Sequence, residues 1–194
     1  MTTGTDIKGR RAASGQSMVE LALILPIMLL LLLGVVDFGR AILFNNILIN
    51  MSREGANLAS RSTDLEKQFI ISALNHTSAP LTMASHGMVY ITRVKGVKDS
   101  AGKLVAAVEE QYRSPSGSGD LSLKSKLWNC PSWDAATGKC TVPAAVAARE
   151  VSLPLPNPLA LNAEVHVAEV IYDYIPVTDY VMKISPELYS STLL

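Results

Sequence analysis

The sequence predicts an α+β fold in which a long N-terminal helix and a short second helix precede an antiparallel β-sheet. Three observations lead to this class: an apolar run over residues 18–36, helical periodicity that continues to about residue 60, and β-rich segments beyond residue 80. The chain therefore divides into three parts: a basic segment 1–15, a long helix 16–61 and an α+β domain 62–194.

The apolar run has the length of a membrane-spanning helix. Within residues 18–36 the only charged side chain is Glu20, and residues 21–36 are apolar throughout. At a rise of about 1.5 Å per residue the run is about 28 Å long, close to the roughly 30 Å hydrocarbon core of a bilayer. A buried core helix and a secretory signal are the alternatives, but the run has no polar side and no Ala-x-Ala-like cleavage site follows it. We expect residues 18–36 to span a membrane.

The distribution of charge predicts the orientation of that span. The chain has 17 basic and 17 acidic residues, so its overall charge favours neither a nucleic acid nor an acidic partner. Lys8, Arg10 and Arg11 precede the span and are opposed by one acid, Asp6. Because basic residues close to a membrane favour the cytoplasmic side, we expect the N-terminus in the cytoplasm and the remaining chain beyond the membrane.

The helix is predicted to continue past the membrane with two distinct faces. Apolar residues recur at intervals of three and four: Phe44, Ile47, Leu48, Met51, Gly55 and Leu58. Polar residues follow the same interval on another side: Asn46, Asn50, Arg53, Asn57 and Arg61. No proline or turn cluster separates these faces from the span, so one helix from about residue 17 to about residue 60 is expected. A hinge near Gly34 or Gly39 is the alternative.

The carboxylate of Glu20 lies on a hydrophobic segment, where an ionised group costs free energy unless it reaches the interface or a partner. Two interpretations remain open. Glu20 lies near the cytoplasmic end of the span and reaches the headgroups, or the chain is cut after Gly15. In the second case Gln16 becomes the first residue, and its α-ammonium group supplies a counter-charge for Glu20.

Several residues of this region occur in an order typical of one family: Gly15, Glu20, Pro26, Phe38, Gly39, Arg40 and the run Arg53-Glu54-Gly55-Ala56. Residues 15–60 resemble the N-terminal segment of TadE-like proteins, the pseudopilins or minor pilins of the tight-adherence (Tad, Flp) type IVc pilus system. Leu21 stands where the major pilins of this system typically have an aromatic residue, and Asn57 stands where the family usually has a basic one. The resemblance therefore favours a minor pilin over the major filament subunit.

The resemblance implies a type IV pilin-like fold and a route of assembly. A prepilin peptidase would cut the bond between Gly15 and Gln16. Glu20 would then pair with a neighbouring N-terminal amine in the low-dielectric core of a filament, where unpaired charges are expensive. Pro26 would loosen one turn of the helix, or it is a tolerated kink of an ordinary membrane helix.

The resemblance also implies partners and a location. The partners would be the prepilin peptidase, other major and minor pilins of the same system (Flp-like and TadF-like), the inner-membrane assembly platform and membrane lipid, with no nucleic acid. The protein would take part in the assembly, initiation or tip of an adhesive pilus. It would cross the inner membrane once with its domain in the periplasm, or lie outside the cell in the pilus.

Local patterns predict the elements of the outer domain. Thr63-x-x-Glu66 is a capping box for the second helix, whose apolar residues are Leu65, Phe69, Ile70 and Leu74. Strands are expected at residues 88–94, 104–113, 148–153, 164–174 and 180–184. Alternation along the second strand places Leu104, Ala106, Val108 and Tyr112 on one side, which Glu110 interrupts.

The two cysteines, Cys130 and Cys140, lie in this outer domain. Outside the cytoplasm we expect them to form a disulfide, which would constrain the unfolded chain by about 3 kcal/mol. Zinc is not expected, because neither a second cysteine pair nor a suitably spaced histidine pair accompanies them. Trp128 and Trp133 flank the loop and either pack onto their own sheet or mark a partner surface.

The sequence carries no motif for catalysis, for a metal or for a cofactor. The three histidines have no ligand spacing, and neither a P-loop nor a nucleophile elbow is present. Two other classes stand beside the pilin hypothesis. One is a single-pass membrane-anchored binding or adhesin module that keeps its leader and never enters a filament. The other is a membrane-tethered enzyme with an unrecognised site.

Overall fold

A computed structural model of the chain describes residues 9–62, 66–155, 158–180 and 186–194. The helices are α1 Gly9–Arg61, α2 Lys67–Thr77 and α3 Met83–His86. The strands are β1 Gly87–Lys98, β2 Leu104–Arg113, β3 Glu150–Val151, β4 Glu164–Asp173 and β5 Glu187–Leu193. A long helix in front of a short helix and an antiparallel sheet confirms the α+β class.

Helix α1 is continuous from the basic segment to the outer domain. Its 53 residues correspond to a length of about 80 Å. Both Gly34 and Gly39 lie inside the helix, so the alternative of a hinge at these positions is not what the chain adopts. A single glycine weakens a helix by only about 1 kcal/mol relative to alanine, which the neighbouring leucines and isoleucines can offset.

The second half of α1 packs against the sheet. Phe44, Leu48 and Met51 are buried there with Val170 and Tyr172 of β4. Gly55 allows the close approach, since a Cβ at this position would lie 3.0 Å from Leu74 Cδ1 and 3.2 Å from Ala168 Cβ.

One residue that was predicted to lie on the buried apolar face of α1 is exposed instead. Leu58 is 41% exposed, whereas Ser52, Ala56 and Ala59 are fully buried. The side of α1 that faces the sheet therefore includes small residues, which let the helix backbone approach the sheet closely. The sequence prediction followed the large apolar residues and so did not identify these small ones.

The described strands form one antiparallel sheet in the order β3-β2-β1-β4-β5. One face carries Val89, Ile91 and Val170 against α1 and α2. The opposite face carries Met88, Tyr90, Ile171, Val94 and Val167, which the chain between β2 and β4 covers. The sheet is thus buried on both faces, one by helices and one by long connections.

A β-bulge in β2 overturns the predicted alternation of that strand. Arg93 pairs with Glu110 but Val94 pairs with Val108, so Glu109 is an extra residue. On the two sides of the bulge, side chains with the same spacing therefore point to opposite faces of the sheet. Tyr112 belongs to the core under α1, whereas Ala106 and Val108 belong to the opposite face. The prediction of one shared side for these residues was wrong, because period-2 alternation fails at a bulge.

Helix α2 also differs from its predicted apolar face. Ile70 and Leu74 are buried as expected, but Phe69 is 80% exposed and Ile71 is fully buried in its place. Of the predicted capping box, Thr63 lies outside the described residues, as does Leu65, and Glu66 makes no side-chain capping hydrogen bond.

The last strand lies later in the chain than predicted. Tyr180 belongs to a 3-10 helix, Val177–Tyr180, and residues 181–184 lie outside the described residues. Strand β5 begins at Glu187 instead. Its inward side chains include Ser190 and Thr192, whose hydroxyls lie 2.9 and 3.0 Å from Ser52 Oγ of α1. A polar contact of this kind leaves no hydrophobic alternation in the sequence.

Candidate membrane and assembly site

The first half of α1 exposes its apolar side chains on all sides. Among the described residues, this helix is the one that is long and apolar enough to cross a membrane, and none of its most apolar window is buried. Leu23, Leu31 and Val35, for example, are 70%, 67% and 72% exposed. A core helix of this domain would be covered by it, so the exposure of this segment does not support that alternative. The long apolar helix indicates single-pass membrane anchoring.

The predicted processing residues lie in the first turns of α1. Gly15 and Gln16 are both inside the helix, which begins at Gly9. The Gln16 side chain donates a hydrogen bond to Glu20 Oε1 at 3.2 Å, one helical turn away. The two residues that the cleavage hypothesis links are thus neighbours on one side of the helix, and both are exposed.

Pro26 is accommodated inside α1. Because proline has no N–H group, the Ala22 carbonyl lacks its usual helical donor, which weakens the helix at this turn. The helix nevertheless continues on both sides of the proline. A kink with a role in assembly stays a prediction.

Sequence reasoning did not find the contact that ties the outer domain to α1 where the apolar run ends. Asp37 is 8% exposed, and its carboxylate accepts the backbone N–H of Val177 at 2.6 Å and that of Thr178 at 2.8 Å. The hydroxyl of Tyr174 donates to the Asp37 carbonyl at 3.0 Å. We call these contacts between Asp37 and residues 174–178 the Asp37 clamp. The signal in the sequence was an acidic residue directly after the apolar run.

The electrostatics of the clamp favour an ionised carboxylate. Burial alone would raise the pKa of Asp37, but hydrogen bonds from Thr178 and Val177 and the positive charge of Arg40 together hold it below its usual value of 3.8. The Arg40 guanidinium lies over the rings of Phe44 and Tyr174, 5.6 and 6.0 Å from their centroids. The clamp is therefore charged at neutral pH.

A second buried carboxylate, Glu169, fixes the covering loop on the far face of the sheet. It is fully buried in β4, and it accepts the backbone N–H groups of Lys126 and Leu127 at 3.0 and 3.1 Å. The Tyr189 hydroxyl donates to it at 2.9 Å, and burial raises the pKa of Tyr189 to about 12. The sequence signal for this buried carboxylate was a glutamate within the otherwise apolar strand sequence VAEVIY. Its role is structural, because all of these partners belong to the fold.

The predicted disulfide between Cys130 and Cys140 is present, with 6.0 Å between the two Cα atoms. The adjacent tryptophans pack onto the domain. The Trp133 ring lies 5.9 Å from that of Tyr90, and the Trp128 indole N–H donates to the Ala148 carbonyl at 3.1 Å. The aromatic residues beside the disulfide therefore stabilise the loop on its own sheet.

A broad open groove lies beside α2. It has a volume of about 610 Å³, and Phe69, Tyr112, Pro115 and Lys139 contribute to its lining. Within the described part of the chain, no group of three or more His, Cys, Asp or Glu side chains could hold a metal ion.

An exposed apolar helix that continues into an α+β domain with an antiparallel sheet is a pilin-like arrangement. Residues 15–57 match the family model of TadE-like proteins, so the resemblance drawn from the sequence is confirmed over that segment. No curated protein and no solved structure matches the chain. The match covers 43 of the 194 residues, and over that segment the chain is similar to TadE-like proteins.

Proposed function

We propose that this protein is a minor pilin or pseudopilin that takes part in the assembly, initiation or tip of a Tad adhesive pilus. The observation that carries the proposal is that the segment matching the TadE-like family, residues 15–57, includes the whole exposed apolar half of α1. A helix of this kind is stable in lipid or against other apolar helices. A pilin subunit moves from the lipid into contact with the helices of other subunits when it assembles.

Processing by a prepilin peptidase between Gly15 and Gln16 is the first step of the proposal. The bond lies within α1, so the local helix must open before a peptidase can reach it. Glycine has the lowest helix propensity after proline and offers an unhindered carbonyl, so it favours that opening. Removal of residues 1–15 also removes the basic side chains that hold the N-terminus in the cytoplasm.

Glu20 is proposed to set the register of assembly. After cleavage its neighbour Gln16, now bonded to it at 3.2 Å, would carry the free α-ammonium group. In a filament core of low dielectric constant, the carboxylate is stable only beside a positive charge of its own or a neighbouring chain. A subunit shifted along its neighbour would leave both charges unpaired.

The processing step is tested by the mass of the N-terminal peptide from native membranes. We expect the wild-type chain to begin at Gln16 and Gly15→Val to keep its leader. Gly9→Val is the matched control, because it changes another glycine of the same helix and should leave cleavage intact. A wild-type chain that retains residues 1–15 would contradict the proposal and favour a membrane-anchored binding or adhesin module.

The assembly step is tested by Glu20→Gln, which removes the charge and keeps the shape. We expect normal cleavage and normal amounts in the membrane, but much less protein in sheared surface fibres. Glu54→Gln is the control, since Glu54 is exposed on the part of α1 beside the domain. Equal incorporation of both variants would show that the Glu20 charge has no role in assembly.

A further inference from the structure

We propose that residues 175–177, the juxtamembrane loop, insert into the interfacial layer of the membrane leaflet at which α1 leaves the bilayer. The partner is the phospholipid surface itself. The inference rests on membrane anchoring by α1 and is independent of any role in a pilus.

The length of the apolar run places the end of the span close to this loop. Residues 18–36 cover about 28 Å along the helix axis, close to the roughly 30 Å hydrocarbon core. The boundary between acyl chains and headgroups therefore lies near residue 37, next to the exposed Phe38.

The Asp37 clamp holds the juxtamembrane loop at this depth. The backbone nitrogen of Val177 lies 2.6 Å from the Asp37 carboxylate, so the loop and the end of the span share one level. Ile175 and Val177 are 44% and 39% exposed although both are aliphatic, and Phe38 beside the clamp is 70% exposed. These exposed apolar side chains lie close to Asp37, either in the chain or through its hydrogen bond to Val177, directly after the membrane-spanning part of α1.

Several backbone donors in and beside the loop already have partners, which favours entry of the loop into the interface. The N–H groups of Val177 and Thr178 bond to Asp37, the N–H of Asp179 bonds to the Pro176 carbonyl at 3.2 Å, and Pro176 has no N–H. An unpaired backbone donor would oppose entry into a layer of low polarity. Arg40, exposed at the same level, can bind lipid phosphate in the manner of basic residues at helix ends.

Insertion would attach the outer domain to the bilayer at a second point beside α1. Aliphatic side chains gain free energy on leaving water, and two attachments restrict the tilt of a domain that one helix would leave free to turn. The domain would then rest on the membrane surface, with the C-terminal end of β4 towards the lipid.

The test is a depth measurement on the full chain in phosphatidylethanolamine–phosphatidylglycerol vesicles. A cysteine introduced by Ile175→Cys is labelled with an environment-sensitive fluorophore while the native disulfide stays intact. Leu161→Cys is the matched control, because Leu161 is 50% exposed and lies beyond the other end of β4, which is about 33 Å long. Val177→Cys supplies a second position in the loop.

We expect blue-shifted emission at positions 175 and 177, with strong quenching by lipids that carry a nitroxide near the headgroup. Position 161 should be quenched by aqueous iodide instead. The proposal is overturned if both loop labels respond to iodide as position 161 does, in protein whose near-ultraviolet circular dichroism matches that of the unlabelled chain.

Discussion

At the scale of single residues, two carboxylates do what apolar packing cannot do: each fixes the backbone of a connecting segment in one place. Asp37 binds two successive amides of residues 177–178, and Glu169 binds two of residues 126–127. Hydrogen bonds from amides to an ionised acceptor are stronger than those between neutral groups. Each carboxylate thereby joins a helix or strand to a connection between two strands.

Asp37→Asn tests the clamp, because the amide nitrogen that replaces one carboxylate oxygen cannot accept a hydrogen bond. We expect faster hydrogen exchange at the amides of Val177 and Thr178. The matched control is Asp99→Asn, since Asp99 accepts the amides of Ala101 and Lys103 at 2.8 Å in a distant turn. The clamp has no energetic role if both variants leave exchange at residues 177–178 unchanged.

The lowered pKa of Asp37 predicts the pH dependence of the same amides. A carboxylate whose pKa is lower in the folded state stabilises that state above its unfolded pKa, and the effect is lost as pH falls through the folded value. Protection of Val177 and Thr178 in the wild type should therefore be constant above about pH 4 and decrease below the usual pKa of 3.8. A decrease already between pH 7 and pH 5 would contradict this explanation.

Two neighbouring apolar residues of α2, Ile71 and Phe69, should contribute very differently to stability. Ile71 is fully buried whereas Phe69 is 80% exposed. Ile71→Ala should lower the free energy of unfolding by about 2–5 kcal/mol, and Phe69→Ala should change it by less than about 0.5 kcal/mol. Chemical denaturation of both variants measures the difference. Similar losses for the two would mean that α2 is rotated relative to the structure described.

At the scale of elements, the sequence predicted the strands that are apolar and long, and it failed where polar groups or irregular backbone intervene. Strand β2 was predicted with its observed bounds, and β4 to within one residue. The bulge at Glu109 left no signature, because Glu109 fitted the polar side of the predicted alternation and only Glu110 interrupted the apolar side. Strand β5 was missed because its inward Ser190 bonds to Ser52 of α1.

The packing of α1 on the sheet gives a further prediction at this scale. Gly55→Val would bring new methyl groups against Leu74 and Ala168, where even a Cβ has contacts of 3.0 and 3.2 Å. We expect a loss of about 1–3 kcal/mol in the free energy of unfolding. Gly39→Val is the control, because a Cβ at Gly39 meets nothing within 4 Å. Equal stabilities in detergent solution would contradict the close approach.

At the scale of the whole molecule, one helix of about 80 Å serves two environments. Its outer half is covered on one side by the sheet, and its inner half is covered by none of the residues that the structure describes. The sequence predicted this division because an apolar run without a polar side differs visibly from an amphipathic one. It could not predict the Asp37 clamp, which joins residues 140 positions apart.

The residues proposed for processing and assembly, Gly15, Gln16 and Glu20, could be predicted only through the family resemblance. Composition marks Glu20 as an unusual charge on an apolar helix, but it does not distinguish a headgroup contact from a partner in a filament. The Gln16–Glu20 hydrogen bond places the two side chains together and is compatible with either interpretation.

The central claim is that the chain leaves the membrane as a cleaved subunit of a fibre. The most direct measurement is mass spectrometry of sheared, purified surface fibres, with detection of both the N-terminal peptide and peptides of the outer domain. We expect a peptide that begins at Gln16, together with outer-domain peptides, in the fibre fraction. Detection of the chain only in membranes, with its N-terminal leader intact, would contradict it.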